Sequence, residues 1–285
     1  MTGLRRNLVE TRIAEFEASL QPRAAVKPGP SGKTPVAPDP AKQAKAEPVV
    51  PSWMRKPALY CVIDLSAGPS ADKYPVSYLK EPPKGGFNTD VYKTTKLVLR
   101  RIEAGSFIMG ENQKDESHRV TLTKPFYCGV FEVTQKQYAL VTGENPSEFK
   151  GDMRPVEKVS YEMIRGKGEG AKWPASPAVD PDSFMGKLRE RTGLDGFDLP
   201  TEAQWEYACR AGTTSAFNNG GDTEDDLKKL GRFVLNQKSR WKESDADFAR
   251  YRPDGKGGCP NAHTAVGAYE PNAWGLCDMH GNVWE

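Results

Sequence analysis

The stretch Leu199-Pro-Thr-Glu-Ala-Gln-Trp-Glu-Tyr-Ala-Cys-Arg-Ala-Gly212 is the best-formed local signal in this 285-residue chain. Thr201 and Gln204 stand in the register of a capping box: the hydroxyl accepts from the amide three residues on, and the glutamine side chain reaches back to the cap. Glu202 favours the positive end of the helix dipole, and Gly212 supplies a left-handed stop. Trp205, Ala208 and Cys209 share one face of that helix, which is therefore expected to be the core-facing one.

Outward from this helix the pattern is one of short strands. Leu59 to Leu65 is a dense apolar run bounded by Ser-Ala-Gly-Pro and suits a buried strand. Thr95 to Ile102, Gly105 to Gly110, His118 to Thr123 and Phe126 to Val133 are further β-rich runs broken by Gly, Pro or charge. Thr134 with Gln137 forms a second capping box, opening a helix that Gly143 closes. Ser160 caps a short helix through Gly166, and Asp182 opens another that ends at Gly193. Between them Gly166 to Pro181 reads as a surface insertion. Serial short strands with a few helices make an α+β fold.

Asn218 to Ala262 is polar and nearly pattern-free, a long loop region. Its acidic cluster, Asp222, Glu224, Asp225 and Asp226, reads as a solvated face, because the neighbouring glycines are out of EF-hand register.

The amino-terminal part is of another kind. Over residues 1–20, Leu4, Leu8, Val9, Ile13, Phe16 and Leu20 form one apolar face of an amphipathic helix, which reads as a small tethered helix that packs on a protein partner or on the body, the alternative being a docking or oligomerisation handle. Residues 21–52 are rich in Pro, Ala and Lys without apolar periodicity, so they read as a disordered, solvated linker. Residues 53–94 read as an extension preceding a domain at 95–285.

With 40 basic against 38 acidic residues the chain lacks the concentrated positive charge of a nucleic-acid footprint. It has no apolar run long enough to span a bilayer, and no signal-peptide core follows Met1, so the default expectation is cytoplasmic. Cys61, Cys128, Cys209, Cys259 and Cys277 show neither a CxxC nor a zinc spacing. The first three read as small buried hydrophobes, Cys259 and Cys277 as loop residues. His118, His263 and His280 give no iron or copper motif, and no catalytic residue is assigned.

Four segments together resemble the formylglycine-generating enzyme family, also called sulfatase-modifying factors. They are Ile102-Glu-Ala-Gly-Ser-Phe-Ile-Met-Gly110, Phe126 to Tyr138, Leu199 to Tyr207, and Asn272-Ala-Trp-Gly-Leu-Cys-Asp-Met-His-Gly-Asn-Val-Trp-Glu285, with Arg154 to Ser160 fitting between the second and third. Order and spacing agree over Val98 to Glu285. The resemblance implies a C-type-lectin-like version of the α+β fold, with short twisted sheets and much irregular loop. It also implies a structural Ca²⁺ held by Asp278, Gly281, Val283 and Glu285: side-chain oxygens at the ends, backbone carbonyls between. A second family calcium site falls in the loop region, where this sequence departs from the pattern and no ligands are named.

The activity implied is oxidation of a cysteine in a sulfatase-type peptide to Cα-formylglycine at a Cu⁺ ion bound by two thiolates, soft donors suited to that ion. None of the five cysteines matches the family pair, which follows the segment that here stops at Glu285; Cys209 matches a helix cysteine that some relatives use in a disulfide. The expectation is thus a domain incomplete at its carboxyl end and inactive as an oxidase. The alternative is a non-catalytic lectin-like scaffold that binds a ligand or protein. Relatives that act on thiols with non-haem iron use an extra helical domain, and nothing before Thr95 supplies its histidines.

Overall fold

The computed structural model describes residues 58–110, 117–233 and 263–284. The expected amino-terminal helix and linker, Cys259 and the terminal ligand Glu285 lie outside the described residues.

Strands β1 (Tyr60–Asp64), β2 (Val76–Leu79), β3 (Lys96–Ile102) and β6 (Phe126–Gly129) form a sheet in the order β2-β1-β3-β6, every neighbouring pair antiparallel. Side chains alternate across a strand, so β1 and β3 feed two cores at once. Cys61, Ile63, Leu97 and Leu99 pack on one side with Tyr138, Val141, Phe184 and Leu188. Tyr60, Val62 and Val98 pack on the other with Phe87, Phe131, Val266 and Cys277. This is why Leu59 to Ile63 are all apolar and do not alternate with polar residues. β1 and β2 come from the stretch read as an extension and share the sheet with β3.

β4 (Gly105–Met109) and β5 (His118–Leu122) make a separate antiparallel pair. Behind it lies a third core of Ile102, Tyr207, Ala208, Cys209, Leu276 and Met279.

Helices α1 (Asp90–Thr94), α2 (Gln135–Thr142), α3 (Tyr161–Arg165), α4 (Phe184–Thr192), α5 (Glu202–Arg210) and α6 (Glu224–Leu227), with a 3-10 helix over Gly168–Lys172, complete the described elements. Both expected capping boxes form, at Thr134 with Gln137 and at Thr201 with Gln204, each worth about 1 kcal/mol. Gly143 and Gly193 close α2 and α4 in the left-handed conformation. Mixed short sheets and few helices make the fold α+β, as expected.

Several boundaries differ from expectation. The strand from Phe126 ends at Gly129 and not at Val133: Val130 N still donates to Val98 O (3.0 Å), but the chain then turns, so that a Cβ at Gly129 would meet the Phe131 carbonyl at 2.9 Å. The cap of α4 is Ser183, whose hydroxyl accepts from Gly186 N, and not Asp182. α5 ends on Ala211 in the left-handed region, one residue before the expected Gly212. On that helix Tyr207, Ala208 and Cys209 are buried, while Trp205 is half-buried.

Gly166 to Pro181 is more than a surface insertion. It wraps the fully buried Arg165, whose guanidinium donates to the carbonyls of Gly170, Ser176 and Ala178 and pairs with Asp198 through both Nε (2.6 Å) and NH2 (3.0 Å). Trp173 lies 5.0 Å from the guanidinium carbon, ring centroid to carbon. Of the acidic residues of the loop region, Glu224, Asp225 and Asp226 open α6 under a third capping box, Thr223 with Asp226, while Asp222 precedes it; they remain mostly exposed.

Candidate functional site

The last described segment, residues 263–284, has no strand or helix, so its backbone groups must find partners elsewhere. They do so at the end of α5 and on the connections around the sheet. Val266 N donates to Met153 O (2.9 Å) and Cys277 N to Val130 O (2.9 Å), next to the sheet. Asn272 Nδ2 donates to Ala208 O (2.8 Å), satisfying a carbonyl at the end of α5, while Asn272 Oδ1 accepts from Trp274 N and Leu276 N. Asn88 Nδ2 donates to Gly267 O (3.2 Å).

Within this frame the chain curls from Asp278 to Val283. Gly281 N donates to Asp278 O (3.2 Å), and Asp278 (φ 60°), Gly281 (φ 149°) and Asn282 (φ 76°) all take positive φ. Gly281 is required there: a Cβ would overlap the Arg232 carbonyl, which accepts from Asn282 N at 2.8 Å. Asn282 bridges the curl to its surroundings. Its Oδ1 accepts from Thr264 N (2.8 Å), and its Nδ2 donates to Glu132 Oε2 (2.7 Å). Glu132 Oε1 also accepts from Val283 N (3.3 Å).

Asp278 is the buried anion of the site, 2% exposed. Its Oδ2 accepts from Gly267 N at 2.6 Å, whereas its Oδ1 is buried with no hydrogen-bond partner among the described residues. Burial pushes the carboxyl above its ordinary range, opposed by the Gly267 amide and by the Lys93 ammonium. A buried carboxylate oxygen without a partner is costly.

Of the four expected ligands, Asp278 is buried, Gly281 and Val283 are half-buried in the same curl, and Glu285 lies outside the described residues. Among the described residues no three His, Cys, Asp or Glu side chains converge on a metal position. The expected set does not need such a cluster, since two of its donors are backbone carbonyls. Sequence reading did not find Glu132, Asn282 or Lys93. Glu132 and Asn282 are 150 residues apart and no local pattern joins them.

The remaining histidines serve the frame. His280 Nε2 accepts from Asn218 N (3.2 Å) and lies 3.9 Å from Cys209 Sγ, which donates to Met279 O (3.4 Å). Burial lowers the His280 pKa. His263 is buried edge-on to Phe149; neither ring nitrogen has a hydrogen-bond partner among the described residues, and Nε2 is 4.0 Å from Glu157 Oε1. Burial lowers its pKa too, with Arg154 adding to the effect and Glu157 opposing it. His118 is exposed on β5.

Of the four described cysteines, Cys61, Cys209 and Cys277 are buried and Cys128 is half-buried. Cys277 thus joins the core residues, although its sequence reads as loop. Burial pushes the Cys61 thiol up to about 11 and Cys277 up to about 12, the opposite of what a reactive or metal-binding thiolate needs. No helix among the described residues is long and apolar enough to cross a membrane.

A family model described as the sulfatase-modifying factor enzyme 1-like domain matches residues 88–285. The chain is 32% identical over 210 residues to a protein of Paenibacillus barcinonensis called chaperone protein LppX, covering 66% of this chain and 69% of that one. It is 41% identical over 90 residues to the formylglycine-generating enzyme of Mycobacterium tuberculosis, covering 32% of this chain and 26% of that enzyme. To the inactive Cα-formylglycine-generating enzyme 2 of Bos taurus it is 26% identical over 230 residues, covering 68% and 70% of the two chains.

Proposed function

This chain belongs to the sulfatase-modifying factor family, that of the formylglycine-generating enzymes, and from that premise we propose that it is a calcium-organised scaffold that binds a protein segment without oxidising it. The observation that carries the reading is Asp278 Oδ1, a buried carboxylate oxygen with no hydrogen-bond partner among the described residues, at the head of the curl.

Calcium asks for several hard oxygens in flexible geometry. Asp278 would supply one side-chain oxygen, Gly281 and Val283 their carbonyls, and Glu285 a second carboxylate. When bound, the ion neutralises the buried Asp278 charge. The protein does the rest: Gly267 N orients the carboxylate through Oδ2, and Asn282 with Glu132 holds the curl against the β6–α2 connection. The fit is one of donor chemistry, hard oxygens without sulfur or imidazole.

The absence of oxidation is argued from the described thiols. Family chemistry uses two neighbouring thiolates, and here Cys61 and Cys277 are buried with raised pKa values. A binding role is also in keeping with relatives that are called a chaperone and an inactive formylglycine-generating enzyme. A sulfatase-type cysteine peptide is the partner the family suggests.

Differential scanning fluorimetry tests the calcium part. Calcium added to chelator-treated protein should raise the melting midpoint of the wild-type chain and leave that of Asp278→Asn nearly unmoved. Equal shifts in both proteins would place the ion elsewhere and remove the reading.

A further inference from the structure

Cys209 Sγ, near the end of α5, lies 3.9 Å from Nε2 of His280. The one thiol hydrogen goes to Met279 O at 3.4 Å, which leaves the sulfur and the imidazole nitrogen facing each other. The same nitrogen accepts from Asn218 N at 3.2 Å, the long end of the hydrogen-bond range. Asn218 is itself 6% exposed, and its Oδ1 is buried with no hydrogen-bond partner among the described residues. A buried amide oxygen in that state is costly and calls for a partner. Phe217 stands edge-on to the imidazole, and Cys209 belongs to the core that holds Leu276 and Met279. A sulfur, an imidazole nitrogen and an unsatisfied oxygen are thus brought together from residues 209, 218 and 280 inside apolar walls.

The separation is the one that a shared ion requires. Metal–sulfur and metal–nitrogen bonds of about 2.3 and 2.0 Å place two donors of one ion roughly 3.5–4.3 Å apart, depending on the angle between them. The observed 3.9 Å falls inside that interval, so an ion fits between Sγ and Nε2 without a change of rotamer. Thiolate and imidazole together favour soft cations over calcium or magnesium.

We propose that Cys209 and His280 form a binding site for a soft monovalent cation of the Cu⁺ class, with Asn218 Oδ1 as a further oxygen donor. The site uses one thiol and one imidazole, and none of the residues assigned to calcium. On binding, the S–H bond is replaced by a sulfur–metal bond and the proton leaves to solvent. The ion takes the nitrogen lone pair that the Asn218 amide holds at long range, and no electron is transferred. Charge decides the class of ion. The thiolate is the single anion among these donors, so it balances one positive charge, whereas a divalent ion would leave a net charge in the core.

The test is Cu⁺ titration of the full 285-residue chain, free of oxygen and under reductant, against a chromogenic Cu⁺ chelator, with X-ray absorption of the loaded protein. The wild-type spectrum should show sulfur at about 2.3 Å and nitrogen near 2.0 Å around one ion. Cys209→Ser and His280→Gln should each weaken retention by more than the roughly 10–100-fold that changes outside the ligand shell cost. Cys61→Ser, which alters a thiol in a different core, should keep the wild-type affinity. Near-ultraviolet circular dichroism checks that each variant folds, and Cys209→Ala serves as a second variant. Should neither Cys209 variant fold, the nitrogen shell in the wild-type spectrum decides. Unchanged retention in Cys209→Ser, an equal loss in Cys61→Ser, or a spectrum with sulfur neighbours alone would each overturn the site. Tighter retention of Zn²⁺ than of Cu⁺ would overturn the assignment to a monovalent ion.

Discussion

The amide of Asn282 and the carboxylate of Glu132 meet at 2.7 Å across 150 residues, joining the last described segment to the connection between β6 and α2. The same amide accepts from Thr264 N, so one side chain holds three parts of the chain together. Asn also tolerates the φ of 76° at this position better than most residues. Asn282→Ala should therefore cost about 2–3 kcal/mol. Urea unfolding monitored by tryptophan fluorescence reads this, and a loss within error of zero would remove the bridge from the account of stability.

Gly281 tests the curl from the backbone side. Gly281→Ala places a methyl on the Arg232 carbonyl and strains a φ of 149°, so it should cost about 2 kcal/mol or more. Gly220→Ala is the control, with positive φ but nothing within 4 Å of the added Cβ; about 1 kcal/mol is expected there. Equal losses would mean that conformation alone, and not the close approach to Arg232, fixes the glycine.

Arg165 and Asp198 make a buried ion pair, with side chains 0% and 6% exposed, and Arg189 NH2 also reaches Asp198 at 2.8 Å. Asp198→Ala would leave the Arg165 charge buried without its carboxylate partner, and is expected to cost about 3–5 kcal/mol. Limited proteolysis near residues 166–181 should accelerate in parallel, because those carbonyls are held by the same guanidinium. An unchanged cleavage rate would separate the insertion from the pair.

His263 gives the protein an acid sensitivity of defined sign. Burial depresses its folded pKa below the ordinary 6.5, so the unfolded chain takes up a proton that the folded chain refuses. Its contribution is fully present above pH 6.5 and is lost as pH falls toward the folded value, by up to about 1.4 kcal/mol per pH unit. His280 shifts in the same direction and adds to the slope. His263→Phe should flatten the fall in stability below pH 6.5, and chemical denaturation at several pH values measures it. A slope as steep as that of wild type would assign the effect to other groups.

How much of this was legible in the sequence depends on range. Thr134, Thr201, Gly143 and Gly193 were readable because caps and stops are local, and the α+β class followed from the serial short runs. α1 and β2 were missed because four or five residues give too little periodicity to register. The buried pairing of Arg165 was hidden by an insertion that looks like loop, since the partner Asp198 is 33 residues away. Asp278 was found through resemblance. What surrounds it, Gly267, Lys93 and Phe131, is brought there by packing against the sheet and leaves no local mark.

The most direct test of a scaffold that binds without oxidising is mass spectrometry of a Cys-x-Pro-x-Arg peptide incubated with the calcium-loaded chain, Cu⁺ and dioxygen. The cysteine is expected to remain a thiol while the peptide is retained on the protein in a parallel pull-down. Conversion to Cα-formylglycine would contradict the account.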